Sequence, residues 1–411
     1  MGDLFRRFWT PVATSAELPE PGGAPVRINV LGEKLVAFRN ADGSLGLIDA
    51  YCRHRRANLF WGRNEGEGLR CVYHGWKFNA SGACVDLPNC PEGPTLKAKV
   101  TTPAYPVLER GGLIWAYLGP ADLEPPFPHY EAFEVPENHR LITKIVSDGN
   151  YFQMLEGDVD SSHVSFLHSK LDGDRLAGSR VDLAVFADRS PRWFTEETPY
   201  GIMLSAQRNA DAEHFHWRVN QWLMPYITLV AGPPSAAILT QVRVPIDDTS
   251  SLHFRVFAHP HRPLTDQEHE TFRNGVIIPE RIPGTFMLKE DATNDYLIDR
   301  EAQRTTNYTG IKSIVAQDLA VTQDQGGPIA DRSREYLTSS DKAIIALRKR
   351  LLTSVKALRD GIEPPEPQRP ETYAVRPVDY RLPRDVTLAD GARDLLRAGT
   401  PAEAAVARWS R

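Results

Sequence analysis

Cys52-Arg53-His54 and, sixteen residues further on, Cys71-Val72-Tyr73-His74-Gly75-Trp76 decide how this chain is read. Each segment holds one thiol and one imidazole, so each loop offers one soft and one borderline donor to a metal. Structural zinc accepts two Cys and two His, but its usual spacings pair Cys with Cys and His with His. Unrelated cysteines and histidines would have to fall into two ordered pairs by accident. Around the two segments, VRINV, EKLVAF, LGLID and LIWAYL (between Val26 and Leu118) read as short strands. The turn signals Ala41-Asp42-Gly43-Ser44 and Gly111-Gly112 separate them, with no helical period.

A Rieske-type [2Fe–2S] centre answers the spacing better. There one iron takes both thiolates and the other both imidazoles, so each loop must bring one of each. Cys52, His54, Cys71 and His74 are therefore the expected cluster donors, and Gly75 would let the loop backbone pass close to the cluster. Cys84 and Cys90 fall outside the pattern and read as packing or loop residues.

Working outward, GPADLEPPFPHY carries four prolines between positions 120 and 128, a stiff connection that predicts domains 1–125 and 126–411. The second opens with a strand, LITKIV (141–146), and a helix from about Asn150. GIMLSAQR, EHFHWRVNQW, YITLVAG, AAILTQVRV and SLHFRVFAH follow without intervening helices, which predicts an antiparallel sheet. Ser340-Asp341 is placed to cap a helix over KAIIALRKRLLTSVKALRD. The fold class is α+β, an all-β domain followed by a larger sheet-plus-helix domain. In 411 residues, 48 Lys+Arg against 53 Asp+Glu leave a net charge of -5 and no basic footprint for nucleic acid. No apolar run is long enough for a membrane span. Four cysteines make no disulfide framework, so a cytoplasmic setting is expected.

Asn150 to His168 holds a second cluster, with Glu156, Asp160 and His163 on one face of an ideal helix. His168 lies five residues beyond His163, so the two imidazoles meet only if the helix ends or loosens between them; Ser165 is the expected place. Two histidines and a carboxylate on one side of Fe(II) leave positions open for O2 and substrate. Spacing leaves that carboxylate open among Glu156, Asp291, Asp318, Asp324 and Asp331.

YCRHRRANL, RCVYHGWKF and EGDVDSSHVSFLH resemble the two cluster loops and the D-x-x-H-x-x-x-x-H iron motif of Rieske non-haem iron oxygenases, the large (alpha) subunits of aromatic ring-hydroxylating systems. The resemblance covers nearly the whole chain. The stretch GGPIADRSREYLTSSDKAIIALRKRLL is similar to the phthalate 4,5-dioxygenase and phenoxybenzoate dioxygenase branch, which also contains O-demethylating monooxygenases. It implies His163 and His168 as iron ligands, with Asp318 of SIVAQDLAVTQDQG the third ahead of Asp324. It implies Asp160 as the carboxylate linking an iron-ligand histidine to a cluster histidine of the neighbouring subunit. One departure is Gly157, where some relatives carry Asn or Asp; a hydrogen bond made there would have to come from elsewhere, with Asn150 and Glu156 the candidates.

The resemblance further implies electrons from NADH through a separate flavin/iron–sulfur reductase, O2 as co-substrate, and a homo-oligomer, a trimer or stacked hexamer. An aromatic small molecule, best an aromatic carboxylate hydroxylated by cis-dihydroxylation, is the expected substrate. O-demethylation of an aromatic ether is the alternative, and a Rieske electron-transfer protein the non-enzymatic one. In GIMLSAQR, Ile202, Leu204, Ala206 and Arg208 share a face, which makes Arg208 the candidate carboxylate anchor. Arg218, Arg243 and Arg255 share faces with polar neighbours and read as poorer candidates. The histidines of EHFHW, with His253, His259 and His261, read as solvated strand faces.

Overall fold

The structure, a computed structural model, describes residues 2–171 and 181–401. It divides into a first unit, ending at Pro125 and joined by the short segment Val244–Asp247, and a second made of Pro126–Arg243 and the chain from Asp248 onward.

The first unit is built from three small antiparallel sheets. Trp9–Thr14, Leu113–Tyr117 and Val107–Arg110 form one; Val26–Val30, Glu33–Arg39 and Leu45–Asp49 form the second. Arg63–Glu65, Gly68–Arg70, Lys77–Asn79 and Cys84–Asp86 form the third. Alternation works here as expected: Phe38, Ile48, Leu69 and Phe78 turn inward and are fully buried. They share one apolar core with Cys52, Cys71 and Cys84, and Cys90 packs at its edge. A five-residue helix, Gly93–Lys97, with Pro94 in its first turn, departs from the strand-only reading. It is too short for a helical period to be seen in sequence.

The second unit holds an eight-stranded sheet. Arg140–Asp148, Ser250–Ala258, Ile238–Pro245, Ile227–Val230, His214–Leu223, Gly201–Asn209 and Arg192–Thr198 follow in spatial order. Val378–Pro383 pairs with the first half of His214–Leu223, whose last residues pair with Ile227–Val230. The six strands read from sequence all appear. The two not read are an edge strand with Trp193 as its one buried side chain and a partner that arrives late in the chain.

The solvated-face reading of the histidines is corrected: His216, His253 and His259 are buried. His216–Leu223 and Ser251–Ala258 are buried at every position, so their polar alternation marks internal partners rather than water. His216 Nε2 meets Asp379 at 2.6 Å, and His253 Nε2 meets Ser251 Oγ at 2.8 Å. His261, by contrast, is exposed.

Two helices position the second site. Tyr151–Val159 starts where Asn150 accepts the Phe152 N–H; Ile314–Gln323 starts where Ser313 accepts the Ala316 N–H. Met154, Val315, Ala316 and Leu319 share one core, and Gln153 Nε2 donates to the Thr322 carbonyl at 2.6 Å. The long C-terminal helix is Lys342–Arg359. Asp341 stands at its N-cap without a capping bond, its carboxylate instead accepting the Thr338 N–H. Among the described residues no helix is long and apolar enough to cross a membrane.

Candidate metal centres

In the first unit the two Cys–His loops have the same backbone construction. Cys52 N–H donates to the Ala57 carbonyl and Arg56 N–H returns to that of Cys52, both at 2.9 Å. Cys71 N–H donates to the Trp76 carbonyl at 2.8 Å and Gly75 N–H returns to that of Cys71 at 2.9 Å. The fourth residue after each cysteine is left-handed, with φ 58° at Arg56 and 79° at Gly75. A Cβ on Gly75 would lie 2.7 Å from Pro88 Cγ, so it is Pro88 rather than the turn, which Arg56 also adopts, that leaves no room for a side chain there.

Both thiols are buried and both imidazoles half-buried. The His54 and His74 rings stand 4.5 Å apart. Trp76 stacks on His54 at 4.6 Å with 8° between the planes, its N–H held by Asn89 Oδ1 at 2.8 Å. Burial, with the Cys71 thiol alongside, pushes the Cys52 thiol up to about 11, so a metal has to displace protons to bind there. His54 Nδ1 is buried with no hydrogen-bond partner among the described residues. Paired thiols, paired imidazoles and that orphaned nitrogen fit a Rieske [2Fe–2S] group.

In the second unit His163, His168 and Asp318 bring one donor atom each to within 4.8 Å of one another. Asp318 Oδ1 stands 3.7 Å from His163 Nε2 and 3.2 Å from His168 Nε2. The helix ends earlier than expected: Val159 is its last residue, Asp160 its C-cap, and His163–Ser165 is a separate 3-10 turn. Glu156, Asp160 and His163 therefore do not share one helical face. Asp160 accepts the backbone N–H of Ser162 at 2.6 Å and of His163 at 3.2 Å, and its Oδ2 is 3.4 Å from His163 Nδ1. Burial disfavours charge on His163, but the hydrogen bond and charge of Asp160, with the charge of Asp318, outweigh it and hold its pKa above the usual value. Asp318 is lowered: its own burial is overcome by the two histidines and Arg243. Two neutral-capable imidazoles and an ionised carboxylate fit a mononuclear Fe(II) site.

The other carboxylates go elsewhere. Glu156 accepts from Arg332 at 2.7 Å and Arg348 at 2.6 Å. Asp291 and Asp331 accept backbone N–H groups at the start of 3-10 turns, and Asp324 is exposed at the end of the Asp318 helix. Sequence reasoning missed Asp158, which holds Arg243 through two bonds of 2.7 Å and Gln241 through one of 2.9 Å. It also missed Gln317, whose Oε1 is 2.7 Å from His168 Nδ1. Gln317 precedes the carboxylate donor in sequence, but no spacing rule marks it.

A cavity of about 540 Å³ borders the triad, its wall including Phe186, Leu239, Phe257 and Ile277 as well as Arg218 and Arg255. Arg208 is not on that wall. Ile202, Leu204, Ala206 and Arg208 are all buried, as their alternation implies. The guanidinium, however, donates to the Asp188 and Ser161 carbonyls, both at 3.0 Å. Burial, with Arg218 nearby, pulls its pKa down to about 10. Arg218, set aside on its polar neighbours, lines the cavity and is 5% exposed. Those neighbours are its support: Asp379 accepts from Arg218 Nη1 at 3.1 Å and also holds His216. Arg218 Nε has no partner among the described residues.

Comparisons with known proteins add to this geometry. A family model described as the Rieske [2Fe-2S] domain matches residues 8–106, and one described as "LigXa C-terminal domain like" matches residues 116–372. The 3-chlorobenzoate-3,4-dioxygenase oxygenase subunit of Comamonas testosteroni is 36% identical over 399 residues, 93% of this chain and 91% of that one. The phthalate 4,5-dioxygenase oxygenase subunit of Pseudomonas putida is 37% identical over 374 residues, 88% of this chain and 84% of that one. Among solved structures, NdmA of Pseudomonas putida CBB5 with caffeine superposes with TM-score 0.61 at 21% identity, over 93% of this chain and 98% of that one.

Proposed function

This chain belongs to the Rieske non-haem iron oxygenase family, and from that premise we propose that it is a terminal oxygenase that cis-dihydroxylates an aromatic carboxylate. Cys52 and Cys71 would hold one iron of the [2Fe–2S] cluster, His54 and His74 the other, and His163, His168 and Asp318 the mononuclear Fe(II). When bound, these groups supply single electrons and O2 activation, the electrons coming from NADH through a separate flavin/iron–sulfur reductase.

The observation that carries the substrate class is Arg218, a buried guanidinium on the wall shared with the two histidines and Asp318. Burial lowers its pKa even though Asp379 opposes the shift, so a substrate carboxylate meeting its fork would further favour this buried cation. Arg255, which donates to the Ile277 carbonyl, adds a second cation to the same wall. The apolar remainder takes an aromatic ring and excludes water. A relative named for phthalate supports the same class.

Asp160 keeps His163 oriented and leaves part of its own side chain exposed, which supports its reading as the bridge to a neighbouring subunit's cluster. That role requires a homo-oligomer, which we assign as a trimer, alone or stacked as a hexamer. Unpaired cysteines and dependence on NADH favour the cytoplasm.

The test is turnover of benzoate-, phthalate- and methoxybenzoate-type acids with reductase, NADH and O2. A cis-diol is the expected product, and Arg218→Ala should raise KM by about 10- to 100-fold, the worth of about 1.5–3 kcal/mol for a charged hydrogen bond. Formaldehyde release from a methoxy acid, without diol, would replace dihydroxylation by demethylation; an unchanged KM would remove Arg218 from substrate recognition.

A further inference from the structure

We infer that Gln317 is the residue that fixes the ring-proton position of His168, and so keeps the mononuclear site able to take its metal. The inference rests on the proposed iron site and concerns a residue that no motif points to.

A histidine can ligate through Nε2 only if its remaining ring proton sits on Nδ1. In this site the proton position is set by a buried amide. Gln317 is 5% exposed, and its two ends face different partners: Oε1 lies 2.7 Å from His168 Nδ1, and Nε2 donates to the Ile311 carbonyl at 2.8 Å. The Ile311 carbonyl can only accept, so the NH2 end must face it. The amide is thereby fixed with its oxygen towards His168. That oxygen can only accept in turn, so the ring must donate from Nδ1, which leaves Nε2, 3.2 Å from Asp318 Oδ1, as the nitrogen on the side of the metal position. A flipped amide would set two oxygens against each other at Ile311 and offer His168 a donor, moving the ring proton to the metal side.

Gln317 is also well placed to hold this geometry. It lies on the Ile314–Gln323 helix immediately before Asp318, so one short piece of backbone positions the carboxylate donor and orients one imidazole donor. The other imidazole is treated differently, since the Nδ1 of His163 faces the carboxylate of Asp160. The two histidines thus have unlike supports, one anionic and one neutral. A neutral acceptor behind His168 orients the ring without a further negative charge next to Asp158, Asp160 and Asp318. Gln317 also lines the cavity, but its two polar ends are taken by His168 and the Ile311 carbonyl, so it is a positioning residue.

The test uses the full-length protein with its cluster in place and reads metal binding directly. Co(II) is titrated into iron-depleted protein, its visible bands reporting the mononuclear site, and Fe(II) retention is measured on dialysis. Gln317→Leu should weaken Co(II) and Fe(II) binding by about 10- to 100-fold, the usual cost of losing a ligand's outer partner, with cluster absorption unchanged. Gln317→Glu restores an acceptor and should return binding to within a few-fold of the parent. Gln153→Leu is the matched control: it removes another buried amide, one that ties the same helix to Tyr151–Val159 without touching His168, and should weaken Co(II) binding by no more than a few-fold. Parent-like binding in Gln317→Leu would overturn the inference, as would a Glu variant as weak as Leu or an equal loss in Gln153→Leu. If the parent protein takes no Co(II), or takes it equally well after His163→Ala, the iron-site reading fails instead.

Discussion

The two candidate centres are assembled in opposite ways. The cluster donors lie on one short run of chain, in two loops tied by the same pair of backbone hydrogen bonds and sharing a left-handed fourth position. The iron donors are brought together across the chain: His168 and the glutamine that orients it are 149 residues apart. One site is set by turn geometry within a small β core. The other depends on a helix ending at Val159, a second helix carrying Asp318, and the packing between them. Local construction makes a site that single substitutions elsewhere leave intact, whereas a site at the junction of distant elements inherits every weakness of that junction.

The sharpest way to break this contrast is His163→Ala. Oxygenation should fall to background while the visible absorption of the cluster stays at its parent value; loss of both together would show the centres to be one cooperative structure. Asp160→Asn is milder. The Ser162 and His163 N–H groups use different oxygens of Asp160, so Asn keeps an acceptor for only one of them, and it removes the charge facing His163. Product formation should drop by about 10- to 100-fold with iron and sulfide contents unchanged, and an unaltered rate would remove Asp160 from the proposed bridge.

The smallest effects compare the two cluster loops directly. Gly75→Ala places a methyl group against Pro88 in a left-handed residue and should cost about 1–3 kcal/mol. Arg56→Gly relieves the same backbone at the equivalent position. Its weak pairing with Asp49, at 3.4 Å, offsets little of that gain, so the net change should stay within about 1 kcal/mol. Thermal unfolding of the cluster-loaded protein measures both, and equal losses would mean that the loops are not equivalent.

The same contrast explains what the sequence revealed. Strands with one apolar face were legible, as was the Asn150 helix start, because their signals are local. The Cys–His loops were legible because their spacing restates the chemistry. The end of the Asn150 helix was misplaced: Asp160 turns back to accept two N–H groups there, an Asx-type turn for which Asp160-Ser161-Ser162 was the local signal. Arg218 and not Arg208 lies on the cavity wall, for a tertiary reason. Alternation tells which side chains go inward but not whether inward means a loop, as for Arg208, or the cavity, as for Arg218. The buried histidines were misread on the same assumption, that a polar strand face meets water. Gln317 and the Asp158–Arg243 pair left no trace in spacing, since each exists only once distant segments have packed.

Gly157 has a consequence of another kind. It lies within the Tyr151–Val159 helix and on the cavity wall, and an added Cβ there would meet only Thr322 Cγ2, at 3.8 Å. Glycine inside a helix gives up about 0.5–1 kcal/mol relative to alanine, yet no crowding demands it here. The position is a place where the chamber can be narrowed by one group at a time without disturbing the backbone. A lineage changing its diet, or an engineer changing the permitted shape of the guest, has in Gly157 a point of entry that leaves both metal-binding constellations untouched.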